Sequence, residues 1–343
     1  MFDYIVTGSK GYIGSRLVDM LLEKQKKIKV LDNNYFEDCN FNINSISDNI
    51  AHIKKDIRDI EVKDFDNVKT VLHLAALSND PIGNLNSTWT DDINNNATVR
   101  MAKMAKMAGV ERFIFSSSCI MYGNAKTDEV NEETPVDPNT DYAKSKVLAE
   151  QKIMELSDNN FSVTSLRNGT VYGYSKYMRF DTVTNDFVGS ALTNKKIIIK
   201  GDGKPWRPVV HVDDVCRSFI MVSEEDLNKV ESQIFNNGSD ELNIKVKDLA
   251  YIVKNEIRGT EVEILNDVEE DSRSYKASFK KFSNYFPNFK FEYTPELGVK
   301  DLHKKLLKYN FERNDFVSGK FVRLKKLSDL IKNNLVDSQL KWK

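Results

Sequence analysis

Three glycines in the run Thr7-Gly8-Ser9-Lys10-Gly11-Tyr12-Ile13-Gly14 constrain this chain more than any other stretch of similar length. The residues before it, Phe2-Asp3-Tyr4-Ile5-Val6, read as a short apolar strand, and Ile13, Leu17, Leu21 and Leu22 recur behind it with helical periodicity. Strand, glycine turn and helix form the context in which such a loop cradles phosphate. Gly8 permits the tight turn, Gly11 lets the backbone approach a pyrophosphate, and Gly14 lets the helix pack close, with Tyr12 and Ile13 at its positive end. The next strand, 28–31, runs into Asp32, 18 positions past Gly14. A carboxylate there accepts hydrogen bonds from the adenosine ribose hydroxyls and repels a 2′-phosphate, so the pattern predicts NAD in preference to NADP.

Apolar strand patterns at 4–6, 29–31, 52–53, 68–75, 113–116 and 161–166 alternate with helical stretches, notably 93–108 and 141–156. This alternation predicts an α/β chain built on a doubly wound parallel sheet of the Rossmann type, with ligands beyond the carboxyl ends of the strands. Gly8, Asp32, Ala75-Ala76 and Ser116-Ser117-Ser118 fall at those ends. After Leu166 the alternation loosens, and short strands at 196–200, 262–265 and 289–293 mix with helices. The expected organisation is a dinucleotide-binding domain over 1–167, to which 208–236 returns, and a smaller mixed α/β substrate lobe from 168–207 and 237–300. Residues 301–343 carry 11 Lys or Arg against 5 Asp or Glu, which reads as a solvated basic helical tail, with a phosphate-attracting flap or a dimer contact as alternatives. Met101, Met104 and Met107 recur every third residue, the pattern of a core or helix-helix face rather than a ligand box.

At 343 residues, 40% hydrophobic and 29% charged, the chain can bury a large core. Fifty basic against 51 acidic side chains leave no global signal for nucleic acid or an anionic membrane. No apolar run approaches ~18 residues, and the first strand begins at once without a signal-peptide pattern, which predicts a cytoplasmic protein. Cys39, Cys119 and Cys216 are odd in number and far apart, and His52, His73, His211 and His303 lack ligand spacing, so neither a disulfide framework nor a metal site is expected.

Tyr142 and Lys146, in Asp141-Tyr142-Ala143-Lys144-Ser145-Lys146, stand four apart and therefore share one face of a helix. A phenol that ionises near pH ~10 needs roughly 4 kcal/mol of charge stabilisation to act as a base near neutrality. An ammonium one turn away, with an oxidised nicotinamide ring, can supply it.

Taken with the glycine loop, Asp32 and the serine run, this pair makes the chain resemble the extended short-chain dehydrogenase/reductases that act on nucleotide-activated sugars. The likeness spans roughly residues 2 to 300 and includes Asp56-Ile57-Arg58-Asp59, His73-Leu74-Ala75-Ala76, Asn94 before Ala97-Thr98, and Glu133-Thr134-Pro135. It continues through Leu166-Arg167, Val171-Tyr172-Gly173, Arg207-Pro208-Val209-Val210-His211-Val212-Asp213-Asp214 and Asp271-Ser272-Arg273-Ser274-Tyr275. The resemblance implies that Tyr142 is the acid/base at the sugar hydroxyl, that Lys146 holds the nicotinamide ribose and lowers the phenol's pKa, and that Ser118 hydrogen-bonds the same sugar oxygen. Gly8, Gly11, Tyr12, Ile13, Gly14, Asp32, Asp56, Ile57, Leu74, Ala75 and Ala76 would then hold NAD. The nucleotide diphosphate contacts would fall on Asn185, Arg207 and Arg273. Ser78 and Asn79, in a polar loop that either touches the sugar or is only a turn, join Thr170 and Arg179 as substrate candidates. Homodimer formation through the 93–108 and 141–157 helices, and a role in surface polysaccharide synthesis, are further implications.

Three departures bear on the reaction. The 4,6-dehydratases of the family carry Thr-Asp-Glu where this chain has Ser118-Cys119-Ile120, which removes the base and acid of that elimination. Thr170 stands where many 4-epimerases have Asn. Ser117-Ser118-Cys119-Ile120 resembles the stretch of GDP-fucose synthases and GDP-mannose 3,5-epimerases in which the cysteine is a carbon-acid base. The His or Lys that accompanies it there has no evident counterpart, Arg179 being nearest by position and almost never a proton donor, so a buried inert Cys119 is the expectation. Met178-Arg179-Phe180-Asp181 with Asn185 resembles a subgroup that includes a GDP-heptose 4-dehydrogenase. The expected function is NAD-dependent oxidation or epimerisation at carbon 4 of a nucleotide-linked hexose or heptose. The alternatives are reduction of a 4-keto sugar, a Cys119-assisted 3- or 5-epimerisation, and, in another class, a catalytically silent NAD-binding sensor or scaffold.

Overall fold

The computed structural model describes residues 1–41, 50–123, 127–266 and 273–343; Asp271 and Ser272 of the family-like segment lie outside them. A parallel sheet of seven strands forms the larger body. Its strands are β1 (Phe2–Thr7), β2 (Ile28–Asp32), β3 (Ile50–Lys54), β4 (Val68–His73), β5 (Arg112–Ser118), β6 (Ser162–Asn168) and β7 (Gln233–Asn237), arranged 3-2-1-4-5-6-7. Every neighbouring pair is parallel. This is the Rossmann order, and the direction of winding reverses between β1 and β4, where a crevice opens at the carboxyl ends. The strand patterns reflect that burial: Ile5 and Val6 of β1, Val71 and Leu72 of β4, and Phe113 and Phe115 of β5 have almost no exposed surface.

Helices cover both faces. α1 (Tyr12–Glu23) buries Leu17 and Leu21 of its periodic residues, with Val18 beside them, and leaves Ile13 and Leu22 half-buried. α2 (Ala97–Met107) buries Met101, Ala102 and Ala105 and leaves Met107 in solvent, so the methionine stripe is only partly core. Directly before α2 a π-helical turn, Asp92–Asn96, points Asn94 inward. α3 (Asp141–Met154) is started by Thr140, whose Oγ1 accepts the Ala143 amide at 3.2 Å. After β6 the chain builds the smaller lobe, including the paired strands Lys196–Lys200 and Glu261–Leu265, and returns through helix Val212–Glu224 to β7.

Two expectations change here. Residues 289–293 form no strand, because Phe289 and Phe291 turn into an aromatic cluster around Phe282 and the Glu292 and Tyr293 amides donate to the Asp214 carboxylate at 3.1 Å each. Nor is 301–343 a solvated tail: Leu302, Leu306, Phe321, Leu327, Leu330, Val336 and Leu340 are buried. Its last helix, α4 (Arg323–Lys332), and the residues after it lie against the loop that follows β2. Among the described residues no helix is long and apolar enough to cross a membrane.

Candidate functional site

One cleft of about 390 Å³ collects nearly all the candidate residues, within the range of ligand sites. At its first end the glycine loop is shaped by contact. Gly8 has φ +69°, and a Cβ on it would lie 2.8 Å from the Ala75 amide nitrogen; one on Gly14 would lie 2.1 Å from the Gly8 carbonyl. Loop, α1 and the end of β4 are therefore closed on one another with no space for side chains. Gly11 caps α1 without any side-chain hydrogen bond and no acidic residue stands in the first turn, so the helix presents uncapped amides and the positive end of its dipole to the cleft.

Asp32 sits beside this loop and accepts the Lys10 and Asn34 amides at 2.8 Å each. Burial pushes its carboxyl pKa up, with those two amides acting against the rise. Asp56 also lines the cleft; burial alone would raise its pKa, yet hydrogen bonds from the Arg58 guanidinium and amide hold it below the usual carboxylate range. Ile57, Leu74, Ala75 and Ala76 complete the apolar wall, joined by Asn33, Tyr35 and Phe36 of the loop after β2. The carboxylate, the side-chain-free loop and the bare helix end fit an adenosine ribose and a diphosphate.

The other end holds Ser118, Tyr142 and Lys146. Ser118 ends β5, its Oγ accepts the Ile120 amide at 3.3 Å, and its hydroxyl acts to lower the Tyr142 phenol's pKa. Gly83 makes room for the tyrosine, since a Cβ there would lie 2.8 Å from that of Tyr142. Burial pushes Tyr142 up to about 12; the Arg179 guanidinium is the positive group that opposes the rise, while Asp80 adds to it. Lys146 is 3% exposed and donates to the Ser116 carbonyl at 2.9 Å, 4.5 Å from the Phe115 ring centre. Burial lowers its pKa to about 7, against the pull of Glu150. Arg179 is thus a cation acting on the phenol that the sequence did not single out for that role.

Asn94 fixes this geometry from behind. Its Oδ1 accepts the Leu77 amide at 2.8 Å, and its Nδ2 donates to the Leu77 carbonyl at 3.0 Å and to Ser145 Oγ at 3.1 Å, tying the loop after β4 to α3. His73 is buried between Thr7 and Thr98, 2.7 and 2.8 Å away, and burial lowers its pKa to about 3. It stays neutral and structural.

Ser78, Asn79, Thr170, Arg179, Arg207 and Arg273 face the same cleft. Arg179 is held by Asp181 at 2.5 Å and by Ser78 Oγ at 3.3 Å, and Asn79, at φ 115°, donates to Asp181 at 2.7 Å. Arg273 pairs with Asp80 at 2.8 Å, and Arg207 donates to the Arg273 carbonyl. Asn185 does not join them. Its side chain is fully buried, accepting the Gly173 amide at 3.0 Å and donating to the Tyr12 hydroxyl at 3.2 Å and the Arg179 carbonyl at 3.0 Å. It positions Arg179 and Tyr12 and has no face toward a nucleotide.

Cys119 lines the cleft but is 1% exposed, its Sγ donating to the Arg167 carbonyl at 3.1 Å. Burial drives the thiol pKa far up, the opposite of what a base needs. Arg323 lines the cleft as well, and the sequence offered no local signal for it beyond the basic character of its segment. Among the described residues no group of three or more His, Cys, Asp or Glu is placed to hold a metal ion.

The pattern of the NAD dependent epimerase/dehydratase family matches residues 4–238. A Methanocaldococcus jannaschii protein provisionally named a UDP-glucose 4-epimerase is 28% identical over 319 residues, 90% of this chain and 99% of its own. The dTDP-D-glucose 4,6-dehydratase of Mus musculus is 28% identical over 280 residues, 78% of this chain and 77% of its own. Among solved structures, the UDP-N-acetylglucosamine 4-epimerase from Methanobrevibacter ruminantium M1 in complex with UDP-N-acetylmuramic acid shares the fold, with a TM-score of 0.79 at 23% identity over 90% of this chain and 98% of that one. With its sheet order and glycine cradle, the chain belongs to the NAD-dependent epimerase/dehydratase family, and its cofactor is NAD.

Proposed function

We propose that this protein oxidises carbon 4 of a nucleotide-linked hexose or heptose, and that the keto sugar either takes the hydride back on its other face, as in a 4-epimerase, or leaves, as in a 4-dehydrogenase. The observation that carries this reading is the convergence of Ser118, Tyr142 and Lys146 in one cleft where positions 119 and 120 bear no carboxyl group. NAD, when bound, supplies the hydride acceptor. Tyr142 withdraws the hydroxyl proton as that hydrogen departs, Ser118 steadies the emerging carbonyl oxygen, and Arg179 favours the phenolate. Lys146, which donates to the Ser116 carbonyl, would hold the nicotinamide ribose. Arg207 and Arg273 supply charge for the nucleotide diphosphate, and Ser78, Asn79 and Thr170 border the sugar.

An elimination of the 4,6-dehydratase kind lacks its acid and base here, and the buried, hydrogen-bonded Cys119 argues against carbon-acid chemistry at carbons 3 or 5. Likeness of Met178-Arg179-Phe180-Asp181 to the GDP-heptose dehydrogenase subgroup favours a GDP-linked heptose as one member of the test set. Incubation with UDP-, GDP-, CDP- and dTDP-sugars, followed by NMR of the product and absorbance of the bound nicotinamide, tests the reading. Turnover at carbon 4 of one of them is expected; a sensor or scaffold would give no hydride exchange with any. Pairing of two copies through the 93–108 and 141–157 helices would cover the exposed Met107 and Leu148, and sedimentation of wild type against Leu148→Arg tests it.

A further inference from the structure

Arg323 opens α4, well beyond the segment 4–238 that carries the family pattern, yet it forms part of the cleft wall at 3% exposure. Its Nη2 donates to the Tyr177 carbonyl at 2.8 Å, and the guanidinium lies 4.8 Å from the Phe36 ring centre with the Cys39 thiol beside it. Nη1 is buried and has no hydrogen-bond partner among the described residues. Among the described residues no salt bridge satisfies the charge there: Asp181 is engaged by Arg179 and Asn79, and Arg179 itself repels. A buried guanidinium N–H without an acceptor is costly enough that its retention points to a ligand.

The position of Arg323 names the ligand. Its charge acts on Asp32 and on Arg179 and Asp181, all of which line the same cleft, and Arg179 in turn acts on Tyr142. In a dinucleotide the group between the adenosine ribose, which Asp32 faces, and the nicotinamide ribose, which Tyr142 and Lys146 face, is the diphosphate. We propose that Arg323 binds the diphosphate of NAD, opposite the amides of the glycine loop, so that the C-terminal segment is a working wall of the cofactor site. The rest of that segment holds the adenosine end from outside. Lys326 pairs with Asp38 at 2.7 Å, Trp342 packs on Tyr35 with ring centres 5.6 Å apart and donates to the Asn33 carbonyl at 2.6 Å, and Arg58 donates to the Gln339 carbonyl at 2.6 Å. Charge-assisted hydrogen bonding of Arg to phosphate is among the stronger polar contacts a protein makes. The proposal rests on NAD as cofactor and not on which sugar carbon reacts.

Calorimetric titration of the full-length protein, stripped of nucleotide, with NAD, ADP-ribose, NADP, UDP and GDP tests it in wild type, Arg323→Gln and Arg323→Lys. Arg323→Gln should weaken NAD and ADP-ribose together by about 10- to 100-fold, leave UDP and GDP unchanged, and melt no lower than wild type without ligand. Arg323→Lys should recover part of the loss, and it carries the test alone if the glutamine variant fails to fold: NAD weakened a few-fold with UDP and GDP unaffected. Unchanged NAD affinity in either folded variant would overturn the proposal. A loss confined to UDP and GDP would assign Arg323 to the substrate's diphosphate, and a loss confined to NADP would assign it to a 2′-phosphate. A protein inactive on every sugar would still answer this question, because the readout is binding.

Discussion

Burial treats Tyr142 and Lys146 in opposite ways, raising the phenol to about 12 and lowering the ammonium to about 7. Each is thereby held near its neutral form, and the cost falls on the lysine at ordinary pH. Between about 7 and its usual 10.5 the folded protein binds fewer protons at Lys146 than the unfolded chain, so this site's contribution to stability is poorest below 7 and improves as pH rises through that window. Lys146→Met should therefore stabilise the fold near pH 6.5 by on the order of 2–4 kcal/mol, with the gain shrinking toward pH 10, while NAD affinity and turnover fall. Calorimetry across pH checks the sign. Tyr142→Phe should leave NAD affinity almost intact and lower turnover by about 100-fold or more; near-normal steady-state rates would place the reaction centre elsewhere. Arg179→Met removes the cation that lowers the phenol's pKa, so the rising limb of the pH-rate profile for oxidation, along which the phenol ionises, should move up by about 1 pH unit. A Cys119→Ala variant should keep most activity, as fits a thiol bonded to a carbonyl rather than poised to ionise.

At the scale of elements, the π-helical turn before α2 is the piece on which the site's geometry depends. Asn94→Ala would leave the Leu77 amide and carbonyl without these partners in a fully buried position, costing about 2–4 kcal/mol, and would loosen α3 through Ser145. Thermal melts and the kcat of the same variant should fall together. Such a turn is invisible to a periodicity argument, which reads 93–108 as one helix. The glycine loop, Asp32 and the serine run were legible because local spacing fixes them: each lies at a strand end, and strand ends in a parallel sheet converge. Phe289 and Phe291 alternate as a strand would, but the backbone after them, at Glu292 and Tyr293, finds an aspartate instead of a neighbouring strand, a choice made by Asp214, 78 and 79 positions away. Asn185 fits the family pattern and still turns inward, because Tyr12 and Arg179 take both of its amide N–H groups and Gly173 donates to its oxygen. No local spacing places Arg323 in the cleft; only the packing of Phe321, Leu327 and Leu330 under the segment does.

Across the whole molecule the cleft runs from Asp32 through the glycine loop to Ser118 and Tyr142. Asp32 should make NAD bind far more tightly than NADP, and Asp32→Ala should narrow that gap; tighter NADP binding by the unmutated protein would remove the assignment of the adenosine end. The central claim is that hydride leaves carbon 4 of a bound nucleotide sugar and that no proton is taken from its neighbours. A nucleotide sugar carrying deuterium at carbon 4, turned over in ordinary water, tests this most directly when mass spectrometry follows the label into the nicotinamide and NMR follows it in the sugar. The account predicts deuterium on the nicotinamide or returned to carbon 4, and, in the converse reaction in deuterated water, carbons 3 and 5 unlabelled. Retention of all deuterium at carbon 4 with none ever reaching the nicotinamide, or solvent deuterium entering carbon 3 or 5 and lost in Cys119→Ser, would contradict it.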